Sequence, residues 1–327
     1  MNETGHTDSS GESIRITGKD LSRKIKKLAE EIGFTACGIA RAAPLEHEKE
    51  ILLQWLQQAF HGEMGYLARE TAKRLDPRLL LEGASSVICL ASYYKPPDHL
   101  VPSFPFRIAR YALGQDYHAV ISHKLTMLAN AIMKITGPFR FKVCCDTSSI
   151  MEKAWAVKSG LGWTGKNTLL IIPGKGSYFL LGEIITDLEL QADEPYEKDH
   201  CGNCSQCMTS CPVKAIIAPG LLDASKCLSY LTTSFKKTHL PGTALHGQLY
   251  GCDICQEVCP YNRMTPPVPR SWLEPNPALS LLPASEWTKM REEDFNALFQ
   301  EGDIRRRGYG KFREQIMLNN QYLQNND

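Results

Sequence analysis

The chain has 327 residues, 43% of them hydrophobic and 22% charged, and a formal net charge of +1. This length predicts two domains of unequal size, and the composition is that of a soluble globular protein. No apolar run approaches the length of a membrane span, so we expect no membrane insertion. The near-zero charge excludes a global attraction to nucleic acid. The basic stretches 235–237 and 304–308 are compatible with local contacts as well as with an ordinary solvated surface.

The N-terminal residues have the composition of a tail. Residues 1–18 are polar and carry no apolar segment after a basic residue, which predicts a disordered tail without a secretion signal and a cytoplasmic protein. Because the cytoplasm is reducing, the 12 cysteines favour metal or redox roles over disulfides.

Residues 19–190 alternate between helical and strand patterns. Apolar spacing predicts helices at 19–32, 51–60, 116–137 and 149–160, and short apolar runs predict strands at 34–40, 85–94, 139–145, 167–173 and 178–187. Asp116 is a suitable N-cap for the third helix, and Gly160 closes the fourth. We predict an α+β chain that begins with an α/β sandwich in which helices cover a sheet.

Residues 191–265 form a cysteine-rich segment. It opens with the acidic linker 191–199 and contains eight cysteines between Cys201 and Cys259. Short helices are predicted at 208–216 and 223–233. Residues 266–327 are first proline-rich and then helical, which predicts a short helical cap packed on the body.

The cysteine spacing is that of two iron–sulfur clusters. Three cysteines in CxxCxxC wrap a loop around one cluster, and a fourth cysteine, followed by proline, reaches a neighbouring cluster. The pattern occurs twice, with the first ligand of the second set displaced by an insertion. We therefore predict two [4Fe-4S] clusters, one on Cys201, Cys204, Cys207 and Cys259, the other on Cys211, Cys227, Cys252 and Cys255.

Zinc is the main alternative at these positions. A structural zinc site uses two CxxC pairs and needs neither the crossed fourth cysteine nor its proline, so we favour iron–sulfur clusters and an electron relay. The remaining cysteines lie in strand-like runs, where we expect buried apolar fillers rather than ligands: Cys37, Cys89, Cys144 and Cys145.

One segment is a near match to a nucleotide-binding motif. Residues 160–167 resemble the phosphate-binding GxxxxGK[ST], but Asn167 replaces the hydroxyl residue and the segment follows a helix instead of a strand. Both features argue against a P-loop.

Asp146 follows an apolar strand, a position where a carboxylate often faces a ligand crevice. Partial burial there would raise its pKa toward that of a proton donor working near neutrality; the alternative is that Asp146 caps the next helix. For Asp116, Tyr117 and His118, a polar contact to cofactor or substrate and simple helix capping both stay open.

The chain resembles the epoxyqueuosine reductases, which carry out the last step of queuosine synthesis in tRNA. The resemblance covers about residues 20–320 and rests on both cysteine motifs and on the segments GEMGYLAR (62–69), RYALGQDYH (110–118), CDTSSIMEKAWAVKSGLGWTGKNTLLI (145–171), FLLGEIITD (179–187) and YGCDICQEVCPYNR (250–263). It implies a cobalamin-binding domain similar to that of reductive dehalogenases over 19–190, a ferredoxin-like domain with two [4Fe-4S] clusters over 191–265, and a tRNA anticodon stem–loop as substrate.

The resemblance also implies site residues. Asp146 would be the proton donor, although Lys153 stands where the family often has arginine, which keeps the charge and loses the planar fork. The segment 116–118 begins like the cobalt-ligating DxHxxG, but Ile121 breaks the match, so His118 is not supported as a cobalt ligand. We expect cofactor contacts from Arg110, Tyr117, His118, Lys153, Trp163, Lys166 and Asn167.

In the implied reaction, an external donor such as flavodoxin or ferredoxin reduces the clusters and cobalamin, the epoxide of the wobble base opens, and Asp146 protonates its oxygen.

We expect a monomer that lacks most of the HEAT-like C-terminal repeats of many members. Two alternatives are a reductive dehalogenase-like enzyme, which usually carries an export signal, and a non-catalytic iron–sulfur electron carrier, which leaves the first domain without a role. Candidate tRNA contacts are Tyr111, Tyr117, Trp163, Arg305, Arg306 and Arg307.

Overall fold

The computed structural model describes residues 5–7, 13–15, 17–96, 101, 106–237, 245–263, 265 and 275–324. Its strands are β1 (Gly5–Thr7), β2 (Ser13–Arg15), β3 (Ala36–Arg41), β4 (Ser86–Tyr93), β5 (Arg107–Ile108), β6 (Phe141–Cys144), β7 (Trp163–Thr164), β8 (Leu170–Ile171), β9 (Phe179–Thr186), β10 (Ile216–Ala218), β11 (Leu221–Leu222) and β12 (Gln248–Tyr250). Its α-helices are α1 (Gly18–Glu31), α2 (Glu46–Gln57), α3 (Thr71–Leu75), α4 (Tyr117–Thr136), α5 (Glu152–Lys158), α6 (Gln206–Thr209), α7 (Leu228–Thr233), α8 (Ile254–Glu257), α9 (Pro277–Leu281), α10 (Ala284–Trp287), α11 (Glu292–Leu298) and α12 (Tyr309–Gln324).

Four strands form the central sheet, in the order β3-β4-β9-β6, with antiparallel pairing throughout. Every residue of β4 is buried, which accounts for its largely apolar sequence. Val87, Cys89 and Ala91 belong to the core on one face of the sheet, and Ile88 and Leu90 belong to the core on the other face. This division follows from the alternation of side chains along a strand.

Helices cover both faces of this sheet. α1 and α4 contribute Ile25 and Leu125 to one core, while α2 and α5 contribute Leu52 and Trp155 to the other. The predicted combination of helices and sheet is therefore confirmed. α4 also begins at the expected N-cap, since the Asp116 carboxylate accepts the first-turn N–H of the helix.

Gly160 closes α5, as its position predicted. Its φ is 77°, in the left-handed region, and a Cβ at this position would lie 2.6 Å from the carbonyl oxygen of Glu194. Both the backbone conformation and the close approach of the linker therefore require glycine.

Some elements differ from their prediction. The strand predicted at 167–173 is limited to β8, which pairs with β7, because the chain turns at Thr168 with a positive φ. α6 ends before Cys211, since the residue preceding Pro212 disfavours helical geometry. β1 and β2 pair in antiparallel orientation where a disordered tail was predicted. Residues 1–4, 8–12 and 16 of that tail lie outside the described residues.

The C-terminal helices pack on the middle of the chain. β5 pairs in parallel with β12, and the core that joins them to the C-terminal helices includes Phe106, Leu249, Trp287 and Phe312. Contacts therefore cross the domain limits predicted after 190 and 265, and those limits stay a prediction. The proline-rich stretch 266–274 lies outside the described residues. Within the described part of the chain, no helix is both long and apolar enough to cross a bilayer.

Candidate active site and metal centres

Four cysteines line one cavity. Cys211, Cys227, Cys252 and Cys255, the predicted ligands of one cluster, lie around a cavity of about 280 Å³. A single zinc ion with Zn–S bonds of about 2.3 Å would not need this space, whereas an iron–sulfur cube would. Burial raises the pKa of Cys252 to about 12, and a bound metal centre would stabilise its thiolate form.

The other predicted set gathers at the loop that begins with Cys201. The N–H of Cys204 donates to the carbonyl of Cys201 at 2.9 Å, and Cys207 lies in α6. Cys259 is buried and packs with Cys201. Burial is the main cause of the raised pKa of Cys259, and the charges of the nearby Cys201, Cys207 and Cys204 raise it further. The structure thus groups the cysteines into the two predicted sets. Cys211 ends the first motif but lies with the second set, and Cys259 ends the second motif but lies with the first set.

The remaining four cysteines lie in the sheet domain. Cys89, Cys144 and Cys145 are buried and Cys37 is partly buried, as expected for apolar fillers. No disulfide joins any of the 12 cysteines, all of which lie among the described residues.

Two predicted cofactor contacts lie beside the first cysteine set. The Lys166 ammonium donates to the carbonyls of Gly202 and Cys204, the latter at 2.9 Å, and so holds the cysteine loop. Trp163 is 4% exposed and packs with Cys201 and Cys259. A side chain so buried is not available to stack on a nucleotide base, so the prediction of Trp163 as a tRNA contact is wrong.

Two others lie at the second cysteine set. Lys153 lines the 280 Å³ cavity, and its ammonium donates to the carbonyl of Thr168 at 2.9 Å. Asn167 lines the same cavity and is 5% exposed; its amide donates to the carbonyl of Cys255 at 3.5 Å. Lys153 and Asn167 therefore lie between the sheet domain and the cysteines.

Asp146 lies just beyond the end of β6. Its φ of 49° is in the left-handed region, and its side chain is 52% exposed. The Nε2 of His118 lies 3.0 Å from the Asp146 carboxylate. Helix α5 begins after Met151 without a side-chain cap, so Asp146 does not cap it. The carboxylate is half exposed and therefore accessible to a ligand.

His118 connects Asp146 to two further charged groups. Its Nδ1 lies 2.6 Å from Asp116 Oδ1, and Asp116 Oδ2 accepts from Arg306 at 2.6 Å. Asp303 lies 3.9 Å from the same Nδ1. Asp116 therefore caps α4, as one reading of the sequence expected, and it also orients His118. The contact of these residues to a cofactor or substrate stays a prediction. Arg306 is 188 residues from His118 in sequence, and only the fold brings them together.

The pKa values of this pair move in opposite directions. Burial raises the pKa of Asp146, but the hydrogen bond and charge of His118 outweigh burial and leave the pKa below its ordinary value. The predicted rise is therefore wrong, because the sequence did not place a histidine beside Asp146. Burial lowers the pKa of His118, and the hydrogen bonds to Asp146 and Asp116 outweigh it and raise the pKa. Both shifts favour the ion pair, in which the proton lies on His118 and Asp146 is ionised.

Two glutamates lie behind this pair, Glu152 partly buried and Glu183 fully buried. The Asp146 N–H donates to Glu152 Oε1 at 2.6 Å. Burial raises the pKa of Glu152 to about 7. Glu183, on β9, is fully buried, and neither of its carboxylate oxygens has a hydrogen-bond partner. Burial and the charge of Glu152 raise the pKa of Glu183 well above its ordinary value. Sequence reasoning missed both glutamates, although a glutamate inside the apolar run of β9 was a visible signal.

The predicted contacts Arg110 and Tyr117 have protein partners. The Arg110 guanidinium lies 2.7 Å from Glu257 and 3.7 Å from Asp253, so it ties its segment to the cysteine motif. The Tyr117 ring stacks on His118 with ring centroids 4.0 Å apart. Tyr117 is thus part of the Asp146 site, while Arg110 supports the cysteine segment.

A basic cleft opens beside the Asp146 site. It has a volume of about 620 Å³ and is lined by Tyr66, Lys236 and Arg306 among others, so both basic stretches of the sequence meet there. Tyr66 is 48% exposed. Burial raises the pKa of its hydroxyl, and the charge of Asp146 raises it further, which places Tyr66 near the carboxylate.

The three arginines proposed as tRNA contacts have different roles. Arg306 is half exposed and lines the cleft. The guanidinium of Arg307 donates to backbone carbonyls at the end of α7, including Phe235 at 2.5 Å, and so supports that helix end. Arg305 is exposed and donates to the carbonyl of Gln300.

Comparison with known proteins identifies the family. Residues 74–147 match the family described as epoxyqueuosine reductase QueG, DUF1730, and residues 200–262 match the 4Fe-4S double cluster binding domain. The epoxyqueuosine reductase of Cyclobacterium marinum is 42% identical over 296 residues, which cover 89% of this chain and 94% of the relative. The chain belongs to the epoxyqueuosine reductase family. The resemblance seen in the sequence and the iron–sulfur prediction are both confirmed.

Solved epoxyqueuosine reductases share the fold. One, crystallised with a tRNA-Tyr epoxyqueuosine-modified tRNA stem loop, aligns with a TM-score of 0.83 at 29% identity and covers 93% of this chain and 81% of that one. Another, from Bacillus subtilis, has its catalytic loop swung out of the active site; its TM-score is 0.82 at 28% identity, covering 93% and 82% of the two chains. Family membership favours a reductase over the dehalogenase-like enzyme and the non-catalytic carrier.

Proposed function

We propose that this chain reduces epoxyqueuosine to queuosine at the wobble position of tRNA, with Asp146 as the proton donor. The observation that carries the proposal is the Asp146–His118–Asp116 hydrogen-bonded series, with separations of 3.0 and 2.6 Å, at the open end of β6. A carboxylate that can receive a proton from a charged histidine is what an epoxide oxygen needs as its C–O bond breaks.

The overall reaction sets how many protons these residues have to supply. Conversion of an epoxide to an alkene consumes two electrons and two protons and releases one water. A cobalamin and two [4Fe-4S] clusters, the groups implied by the family resemblance and by the cysteines, would supply the electrons. Asp146 would pass one proton to the departing oxygen, and His118 would reload Asp146 for the second.

The eight cysteines fit two clusters. Each set of four gathers around its own site, and the 280 Å³ cavity supports a cube at the second set. Lys166 would brace the loop of the first cluster, and Lys153 with Asn167 would border the second.

A corrinoid would lie against residues 146–153. Asp146 at one end of this segment reaches open space with a half-exposed side chain, and Lys153 at the other end lines the cysteine cavity. This segment therefore offers a proton donor on one side and a route from the second cluster on the other. We further infer that the turn at Asp146 moves, as the catalytic loop does in the Bacillus subtilis relative.

The basic cleft is the proposed seat of the anticodon loop. Lys236 and Arg306 would bind phosphates, and the exposed ring of Tyr66 would stack on a base, the usual way in which proteins hold unpaired RNA. The nearness of Tyr66 to Asp146 would bring the neighbouring wobble base to the proton donor. A flavodoxin or ferredoxin as electron donor and a monomeric state stay predictions.

Asp146→Asn tests the proton donor. Asparagine keeps the shape and removes the transferable proton, so we expect turnover to fall by about 100-fold or more, with tRNA affinity and cofactor content unchanged. The measurement is single-turnover conversion of an epoxyqueuosine-containing anticodon stem–loop by anaerobic, fully loaded enzyme. Asp187→Asn, a carboxylate at the far end of β6 that accepts the Arg140 N–H, is the matched control. An Asp146→Asn enzyme as fast as the control would remove Asp146 from the mechanism.

A further inference from the structure

The backbone at Asp146 is held in an unusual turn. The N–H of Thr147 donates to the carbonyl of Cys145 at 2.5 Å, which closes a three-residue turn around Asp146. The central residue has a φ of 49°, a conformation that non-glycine residues rarely adopt. Such turns are strained and persist where the surroundings hold them.

Glu152 provides a contact to the backbone of this turn. Its Oε1 accepts the Asp146 N–H at 2.6 Å. His118 contacts the same residue only through the side chain. Glu152 therefore holds the backbone of the turn, while His118 and Tyr117 hold the carboxylate.

Glu152 is itself firmly anchored. It is the first residue of α5, and Trp155 and Ala156 in the same helix are fully buried against the sheet. The next side chain, Lys153, points to the carbonyl of Thr168 at the cysteine cavity. The first turn of α5 therefore contacts the Asp146 turn through Glu152 and lines the cavity of the second cysteine set through Lys153.

We propose that Glu152 is a positioning residue that keeps the Asp146 turn in its inward position, with the carboxylate facing His118. The inference rests on the proposed role of Asp146 as proton donor, and Glu152 itself needs no contact with the substrate. The competing explanation is that Glu152 only stabilises α5, since an acidic residue in the first turn interacts favourably with the helix dipole.

Two conservative variants separate these explanations. Glu152→Gln removes the charge but keeps an oxygen that accepts the Asp146 N–H, whereas Glu152→Asp keeps the charge but withdraws the oxygen by one methylene. If Glu152 positions the turn, Glu152→Gln should behave like the wild type. Glu152→Asp should then turn over about 10- to 100-fold more slowly, at unchanged affinity for the stem–loop. A role limited to the helix dipole predicts the reverse order.

Hydrogen–deuterium exchange provides the second readout. In Glu152→Asp we expect faster exchange at residues 145–150 and unchanged exchange in β9, with Asp187→Asn as the control that alters neither. Wild-type exchange and turnover in Glu152→Asp, or equal loss in both Glu152 variants, would overturn the proposal. If Asp146→Asn proved fully active, the proton-donor role would fail, but the exchange data would still report whether Glu152 holds the turn.

Discussion

The pair formed by Asp146 and His118 carries the proposed chemistry of this site. Each was a candidate from the sequence alone, because Asp146 follows a strand and His118 lies in a helix N-terminal segment. Their pairing was not predictable, since 28 residues separate them and only the packing of α4 against β9 and β6 brings them together. The same limit explains the wrong pKa prediction for Asp146, because a pKa depends on neighbours that the local sequence does not reveal.

Glu183 offers a stability prediction at the residue scale. In the unfolded chain its carboxyl ionises with an ordinary pKa, whereas burial and the charge of Glu152 hold its folded pKa well above that value. The folded state therefore keeps a proton that the unfolded state loses, so Glu183 makes stability fall as pH rises above the ordinary glutamate range.

Replacing Glu183 with Gln removes this ionisation. We expect the melting temperature of Glu183→Gln to exceed that of the wild type by about 2–4 °C at pH 8 and by less at pH 5. Thermal unfolding followed by circular dichroism at both pH values measures the difference. A difference that is equal at the two pH values, or larger at pH 5, would contradict the buried and unpaired state of this carboxyl.

At the element scale, the sequence predicted the sheet and its helices because their apolar patterns were long and regular. β4 and β9 are buried runs, and α4 combines a clear period with an N-cap at Asp116. Short elements were predicted poorly, as β8 and α6 show, because a few residues carry too little pattern to override a neighbouring turn or proline. Trp163 illustrates the same limit for function, since residue type suggested base stacking while the fold buries the ring beside Cys259.

The basic cleft is lined by three separate elements, namely the segment of Tyr66, the end of α7 and the segment of Arg306. We expect it to bind the phosphates of the stem–loop. Lys236→Ala should weaken stem–loop binding similarly for all loop sequences and lower the salt slope of log Kd by about 1. Fluorescence anisotropy titrations at several salt concentrations measure both effects. Lys134→Ala is the control, because Lys134 lies in the last turn of α4, about 27 Å along the helix from Asp116 at its start. Equal effects of the two variants would place the RNA elsewhere.

At the scale of the whole molecule, the fold joins two sources of chemistry. The cysteine segment gathers eight thiols into two sets, and the second set borders the segment that carries Asp146 through Lys153 and Asn167. The C-terminal helices contribute Arg306 and Asp303 to the environment of His118. The site therefore depends on residues from all three parts of the chain, which explains why their contacts cross the predicted domain limits.

The proposed activity is removal of the epoxide oxygen of epoxyqueuosine in tRNA. Mass spectrometry of an epoxyqueuosine-containing anticodon stem–loop, incubated anaerobically with the reduced, cofactor-loaded protein, tests it most directly. We expect the modified nucleoside to lose one oxygen atom and become queuosine. An unchanged nucleoside mass with fully reduced and loaded protein would contradict it.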